Sequence, residues 1–150
     1  MVNRRRLNLV LDLDHTLVHA INGDFSNLGK DFAKIMFQNC GNGGTSIHTL
    51  KFRPFLKDFL KSASEIGYDL TAYTAGVRSY AVSVCRAIEE YVGVGSIFGS
   101  RIVSRTDTPD ICTFDDFGNM MCVNKSLKRI VGDGGGTSVI LDDTEKVWCR

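Results

Sequence analysis

The chain lacks the cross-links that would brace a small secreted fold. Its five cysteines (Cys40, Cys85, Cys112, Cys122 and Cys149) are odd in number and widely spaced, with no C-x-x-C pair. Neither a zinc site nor a disulfide framework is expected from that pattern, and a reducing intracellular compartment fits it best. Excess charge is missing too: 18 basic residues face 17 acidic ones. That balance argues against binding nucleic acid or an anionic membrane through bulk electrostatics, while leaving room for a local basic pocket. No apolar run approaches the roughly 18 to 20 residues that span a bilayer. Arg4, Arg5 and Arg6 lead into a strand-like segment instead of a signal peptide's apolar stretch, and three arginines are a thin basis for a nuclear signal. Asn124-Lys-Ser spells a glycosylation sequon with nothing else to suggest secretion, and Asp133-Gly-Gly-Gly lacks the G-K-[ST] of a phosphate-binding loop and reads as a connector.

What is present suffices for one core. The chain has 150 residues, 43% of them apolar, and the whole of 1–150 is expected to form a single domain. Leu7 to Leu13 is a short apolar run broken only at Asp12, the pattern of a strand buried on both faces. From His19 to about Thr49 the pattern loosens. Residues 19–52 are expected to form an insertion beside the core, with a short helix over Gly29 to Phe37. Its apolar residues Phe25, Phe32, Ile35, Met36 and Phe37 either line a substrate groove or close a small satellite core. Pro54 then opens a helix that places Phe55, Leu56, Phe59, Leu60, Ala63 and Ile66 on an inward face and stops at Gly67.

Tyr68 to Tyr73 reads as a strand, and Ser79 to Tyr91 as a second helix with Ala81, Val84, Cys85, Ile88 and Tyr91 inward. Cys85 is therefore expected in the core and not as a nucleophile. A short strand at Ile102-Val103, a hairpin over 108–124, a short helix over Lys125 to Val131 and a last strand over Ser138 to Leu141 complete the pattern. Alternating strands and helices predict an α/β fold, a parallel sheet flanked by helices. Asp12 to Thr16, Thr74 to Gly76 and Asp142-Asp143 each follow a strand. In an open parallel sheet such ends share one edge, where ligands bind.

Asp12 interrupts a buried run, where an unpaired charge costs several kcal/mol, roughly. With Asp14, Asp142 and Asp143 brought to the same crevice, four carboxylates repel unless a cation lies among them, and Mg²⁺ suits hard oxygen donors that leave room for water and phosphate oxygens. The same set suits phosphate monoester hydrolysis. One carboxylate attacks phosphorus and a neighbour two residues on moves protons, while a hydroxyl at Thr74 and a lysine ammonium hold the phosphate oxygens. His15 and His19 flank this strand end, and neither is expected to be the nucleophile.

Asp12-Leu-Asp-His-Thr-Leu-Val resembles the D-x-D-x-T signature of the haloacid dehalogenase superfamily, and more narrowly that of the phosphatases of the RNA polymerase II C-terminal domain (the NLI-interacting-factor-like group). Phe52-Arg-Pro-Phe-Leu, Tyr73-Thr-Ala-Gly with Tyr80-Ala, Arg101-Ile-Val-Ser-Arg and Lys125-Ser-Leu resemble that family's further motifs in order. Leu141-Asp-Asp-Thr-Glu-Lys-Val-Trp resembles the ending of its TFIIF-associated branch. The resemblance implies a haloacid dehalogenase-like fold and a Mg²⁺-dependent serine/threonine protein phosphatase working through an aspartyl-phosphate. Asp12 would be nucleophile and metal ligand. Asp14 would be general acid/base, its backbone carbonyl also binding the metal. Thr74, Lys125 and Arg105 would contact phosphate, Asp143 would bind the metal directly, and Asp142 directly or through a water. It implies a phosphoprotein substrate such as the polymerase tail, a nuclear location and a monomer. It also implies a helix and strand beyond Arg150 and, in the TFIIF-associated branch, a BRCT-like module; neither is in this chain. A small-molecule phosphatase is the nearest competing activity, and a non-catalytic binding module the competing role.

Overall fold

The computed structural model describes residues 6–39, 41–108, 112–131 and 137–148. Arg4, Arg5, Cys40, the glycine-rich stretch from Asp133 and Cys149 lie outside them, as do the side chains of Cys112 and Cys122. Asn8–Leu11 is β1, and its alternation serves two cores at once. Leu9 and Leu11 join the large cluster under the helices, while Val10 joins a smaller cluster with Tyr73 on the opposite face. Parallel strands Asp69–Tyr73 (β5) and Ser138–Leu141 (β9) flank it, and Ile102–Val103 (β6) pairs with β5, giving the order β6-β5-β1-β9. The expected parallel sheet is therefore the one observed.

Helices Leu56–Ile66 (α1) and Arg78–Val92 (α2) cover the large-cluster face. Leu127, Ile130 and Trp148, around the short helix Lys128–Val131 (α3), pack on the other face. In α1 the buried residues are Leu56, Leu60 and Ala63, and the helix stops at Gly67, whose φ of 95° lets its N–H cap the carbonyls of Ala63 and Ser64. The broader apolar face expected of this helix is corrected. Phe55 is 82% exposed, Ile66 74% and Phe59 37%. Phe55 takes a left-handed conformation (φ 63°) before the first turn, which throws its side chain off the buried arc. Phe59 and Ile66 lie about 60° round the helix from Leu56 and Ala63, at the flank where the sheet no longer reaches. Tyr91 is half-buried, its ring stacked 4.1 Å from that of Phe52.

The insertion is sheet, not helix. Val18–Asn22 (β2), Phe32–Gln38 (β3) and Thr45–Phe52 (β4) form an antiparallel sheet in the order β2-β4-β3. Phe32 to Gln38 fails as a helix because its burial has period two: Ala33, Ile35 and Phe37 turn inward while Lys34, Met36 and Gln38 face out. Ile35 and Phe37 thus belong to the main core, whereas Phe25 and Met36 stay exposed. The free edge of β3 is sealed by α2, where Ser79 and Ser83 hydroxyls donate to the carbonyls of Gln38 (2.7 Å) and Met36 (3.2 Å). The hairpin forms as expected from Cys112–Phe114 (β7) and Met120–Val123 (β8), with Asp115 accepting from the backbone of Phe117 and Asn119 across the turn. Among the described residues no helix is long and apolar enough to cross a membrane.

Candidate active site at the sheet edge

Register brings the separate motifs together. Leu11 pairs with Ala72 on one side and Leu141 on the other, so the three strands end level and release Asp12, Thr74 and Asp142 at one edge. Backbone hydrogen bonds carry the pairing one step further: Asp12 N–H to Leu141 carbonyl at 2.9 Å and Thr74 N–H to Val103 carbonyl at 3.0 Å. Around these ends lies a cavity of about 430 Å³ lined by Asp12, Asp14, His15, Thr74, Arg105, Lys125, Asp142 and Asp143 among others. All seven residues expected at the site border it.

Lys125 is its electrostatic centre. Its ammonium is almost wholly buried and donates to Asp12 Oδ1 at 2.6 Å and to Asp142 Oδ2 at 2.7 Å. The rings of Tyr73 and Trp148 flank it at 5.7 and 5.5 Å. Lys125, expected to open a helix, is instead extended and bridges to Trp148, and the helix begins only at Lys128. The extended backbone lets the side chain reach straight across the strand ends. Burial pushes the Asp12 carboxyl up to about 6, against the downward pull of Lys125 and with a further push from Asp142 and Asp14.

The remaining acids differ in how far they are committed. Asp142 is held by Lys125, by Trp148 Nε1 at 2.9 Å and by the Thr144 N–H at 2.9 Å, so both its oxygens have partners. Among the described residues, Asp12 Oδ2 receives only the Thr16 hydroxyl, at 3.3 Å, and that hydroxyl in turn accepts the Asp143 N–H at 3.1 Å. One oxygen each of Asp12, Asp142 and Asp143 lie within 4.8 Å of one another, a group able to hold a cation. Asp14 is not in that group through its carboxylate, which instead accepts the Tyr80 hydroxyl. Burial and the Asp14 charge hold the Tyr80 phenol protonated well above its ordinary range. The donor set fits Mg²⁺: hard oxygens, few from the protein, with positions left for water and phosphate.

Thr74 is buried, and its hydroxyl accepts the Gly76 N–H at 3.0 Å. A methyl at Gly76 would come within 2.6 Å of the Tyr80 ring, so glycine is required where Tyr80 crosses to Asp14. The guanidinium of Arg105 stacks on Phe114 of the hairpin, 5.4 Å from the ring centre.

The model of the NLI interacting factor-like phosphatases matches residues 7–150. The chain belongs to this family. Among its family relatives, an RNA polymerase II C-terminal domain phosphatase of Schizosaccharomyces pombe is 33% identical over 96% of this chain but only 20% of its own length. An RNA polymerase II C-terminal domain phosphatase-like 4 of Arabidopsis thaliana is also 33% identical, over 97% of this chain and 32% of its own. The chain thus spans a third or less of those relatives. The solved structure of Fcp1, an essential RNA polymerase II CTD phosphatase, superposes with a TM-score of 0.72 at 30% identity, covering 96% of this chain and 39% of that one. The fold is haloacid dehalogenase-like.

Two residues of this family member's site were not singled out as site residues from the sequence: Tyr80, which orients Asp14, and Trp148, which orients Asp142. Both act through contacts that depend on the fold. Tyr80 reaches 66 positions back along the chain, and no spacing rule signals such a pair.

Proposed function

We propose that this domain is a Mg²⁺-dependent serine/threonine protein phosphatase that works through a phosphorylated Asp12. The observation that carries the reading is the level ending of three parallel strands around one cavity, with a buried lysine between the carboxylates of Asp12 and Asp142. Asp12 Oδ2, the oxygen not bound by Lys125, attacks phosphorus. The phosphorus–oxygen ester bond breaks, and the departing serine or threonine oxygen takes the proton of the Asp14 carboxyl. Asp14, oriented by Tyr80, then accepts a proton from water as that water attacks the aspartyl-phosphate, releasing orthophosphate and restoring Asp12. Thr74, Lys125 and Arg105 bind the phosphate oxygens and hold them in line.

Asp12, the Asp14 carbonyl and Asp143 are the residues that would hold Mg²⁺, which supplies charge neutralisation. Asp142, with both oxygens already engaged, serves by fixing Lys125 and would help hold the cation through a water. The substrate is a phosphoprotein. The polymerase C-terminal domain, for which the relatives are named, is the leading case, and a nuclear location follows from it; the domain is proposed to act as a monomer. A protein segment is favoured over a small metabolite because the described residues of 18–52 pack on α2 and none of them lines the cavity. Beside the cavity, a groove of about 420 Å³ shares Gly76 and Arg105 with it, giving an extended chain somewhere to lie.

Phosphate release from a phosphopeptide array, with sugar phosphates and nucleotides alongside, tests this. Release should require Mg²⁺, favour peptides, stop with chelator and vanish in Asp12→Asn. Full activity in that variant ends the aspartyl-phosphate reading, and a preference for sugar phosphates or nucleotides ends the protein-substrate reading.

A further inference from the structure

His15 and His19 bracket the turn after the signature aspartates, and the proposed chemistry uses neither. His15 sits in the left-handed region (φ 63°), which costs a non-glycine residue about 1 kcal/mol. The turn is pinned by His15 N–H to Val18 carbonyl (2.8 Å) and Val18 N–H to Leu13 carbonyl (3.0 Å). Both imidazoles are exposed, so packing does not repay that backbone geometry.

The rings themselves are arranged in a particular way. Their Nδ1 atoms lie 3.3 Å apart and their centres 5.2 Å apart, tilted by 53°. Two imidazole nitrogens on a tetrahedral cation at about 2.0–2.1 Å stand about 3.3–3.4 Å from each other, and their ring centres about 5.2 Å apart. A straight N–H···N bond of the same length would put the centres about 5.6 Å apart. Both observed separations match convergence on a shared cation. His15 lines the cavity alongside Asp12 and Asp14, and Lys51, the partner of His19 on β4, has its ammonium over the Phe32 ring.

We propose that His15 and His19 form a two-imidazole site for a borderline divalent cation of the zinc class at the rim of the cavity, where the bound cation hinders substrate entry. Mg²⁺ prefers oxygen and does not compete for these nitrogens. The inhibition test rests on the proposed phosphatase activity, and the chemical-modification test does not.

The chain has three histidines, which provides an internal control. Diethyl pyrocarbonate modification, mapped by mass spectrometry under saturating Mg²⁺ with and without added Zn²⁺, should show His15 and His19 protected and His48 unchanged. Aryl phosphate turnover under the same Mg²⁺ should fall as Zn²⁺ is added. His19→Gln, an exposed position that does not line the cavity, should keep its basal rate and need at least roughly 10- to 100-fold more Zn²⁺ for the same inhibition, because loss of a direct ligand costs no less than loss of an outer partner. The proposal is overturned if Zn²⁺ leaves His15 and His19 as reactive as before, if it fails to inhibit the native enzyme, or if His19→Gln is inhibited at the same Zn²⁺ concentration.

Discussion

Asp12 is held ionised at neutral pH against the preference of its own surroundings, and this has a measurable consequence for stability. It is 7% exposed, and its carboxyl is raised from 3.8 to about 6, chiefly by burial. A carboxyl with a raised folded-state value favours the fold most below the unfolded value, near pH 3.8, and loses that contribution as pH rises through 6. The loss amounts to about 3 kcal/mol for the metal-free domain at about pH 7.5. Asp12→Asn keeps the shape without the charge. The variant should therefore match the native protein near pH 4 and exceed it at pH 7.5 by up to about 3 kcal/mol, or about 6–12 °C in Tm. Adding Mg²⁺ should close the gap by raising the native Tm, because the cation favours ionised Asp12 and gains less from the amide. Thermal unfolding across pH, with and without Mg²⁺, reads all of this. A variant no more stable than native at about pH 7.5 without Mg²⁺, or a gap that does not change with pH, would refute the reasoning.

Lys125→Met leaves the buried carboxylates of Asp12 and Asp142 without their cation, and denaturant unfolding at neutral pH should show a loss of about 3–5 kcal/mol that shrinks in acid. Tyr80→Phe removes the hydroxyl that orients Asp14. It should lower kcat about 10- to 100-fold with little change in fold or KM, as steady-state kinetics on a phosphopeptide would show. Leu60→Ala should cost about 2–5 kcal/mol in denaturant unfolding, whereas Phe55→Ser, at an exposed position, should stay within about 0.5 kcal/mol.

Much of the fold was legible because strong patterns are local. The Leu7 to Leu13 run, the Gly67 stop and the apolar spacing of α2 each constrain a few neighbouring residues. The insertion was harder. Phe32 to Gln38 carries enough apolar residues to satisfy either period, and only pairing with β4 and the hydroxyl seal from α2 choose the strand. The apolar face of α1 was overestimated for a related reason: spacing marks a face, but how much of it is covered depends on where the sheet ends.

For the site, the sequence alone determined the candidates for the chemistry: Asp12, Asp14, Thr74, Asp142 and Asp143 from residue type just beyond a strand, and Lys125 from its resemblance to the family's lysine motif. Tertiary structure decided how each is employed. It set Lys125 between Asp12 and Asp142, gave Asp14 to Tyr80, saturated Asp142 with Trp148 and turned two histidines toward one point. The physical reason is range. Residue type and spacing act over a few positions, whereas a hydrogen bond spanning 113 positions exists only once the strands have paired in register.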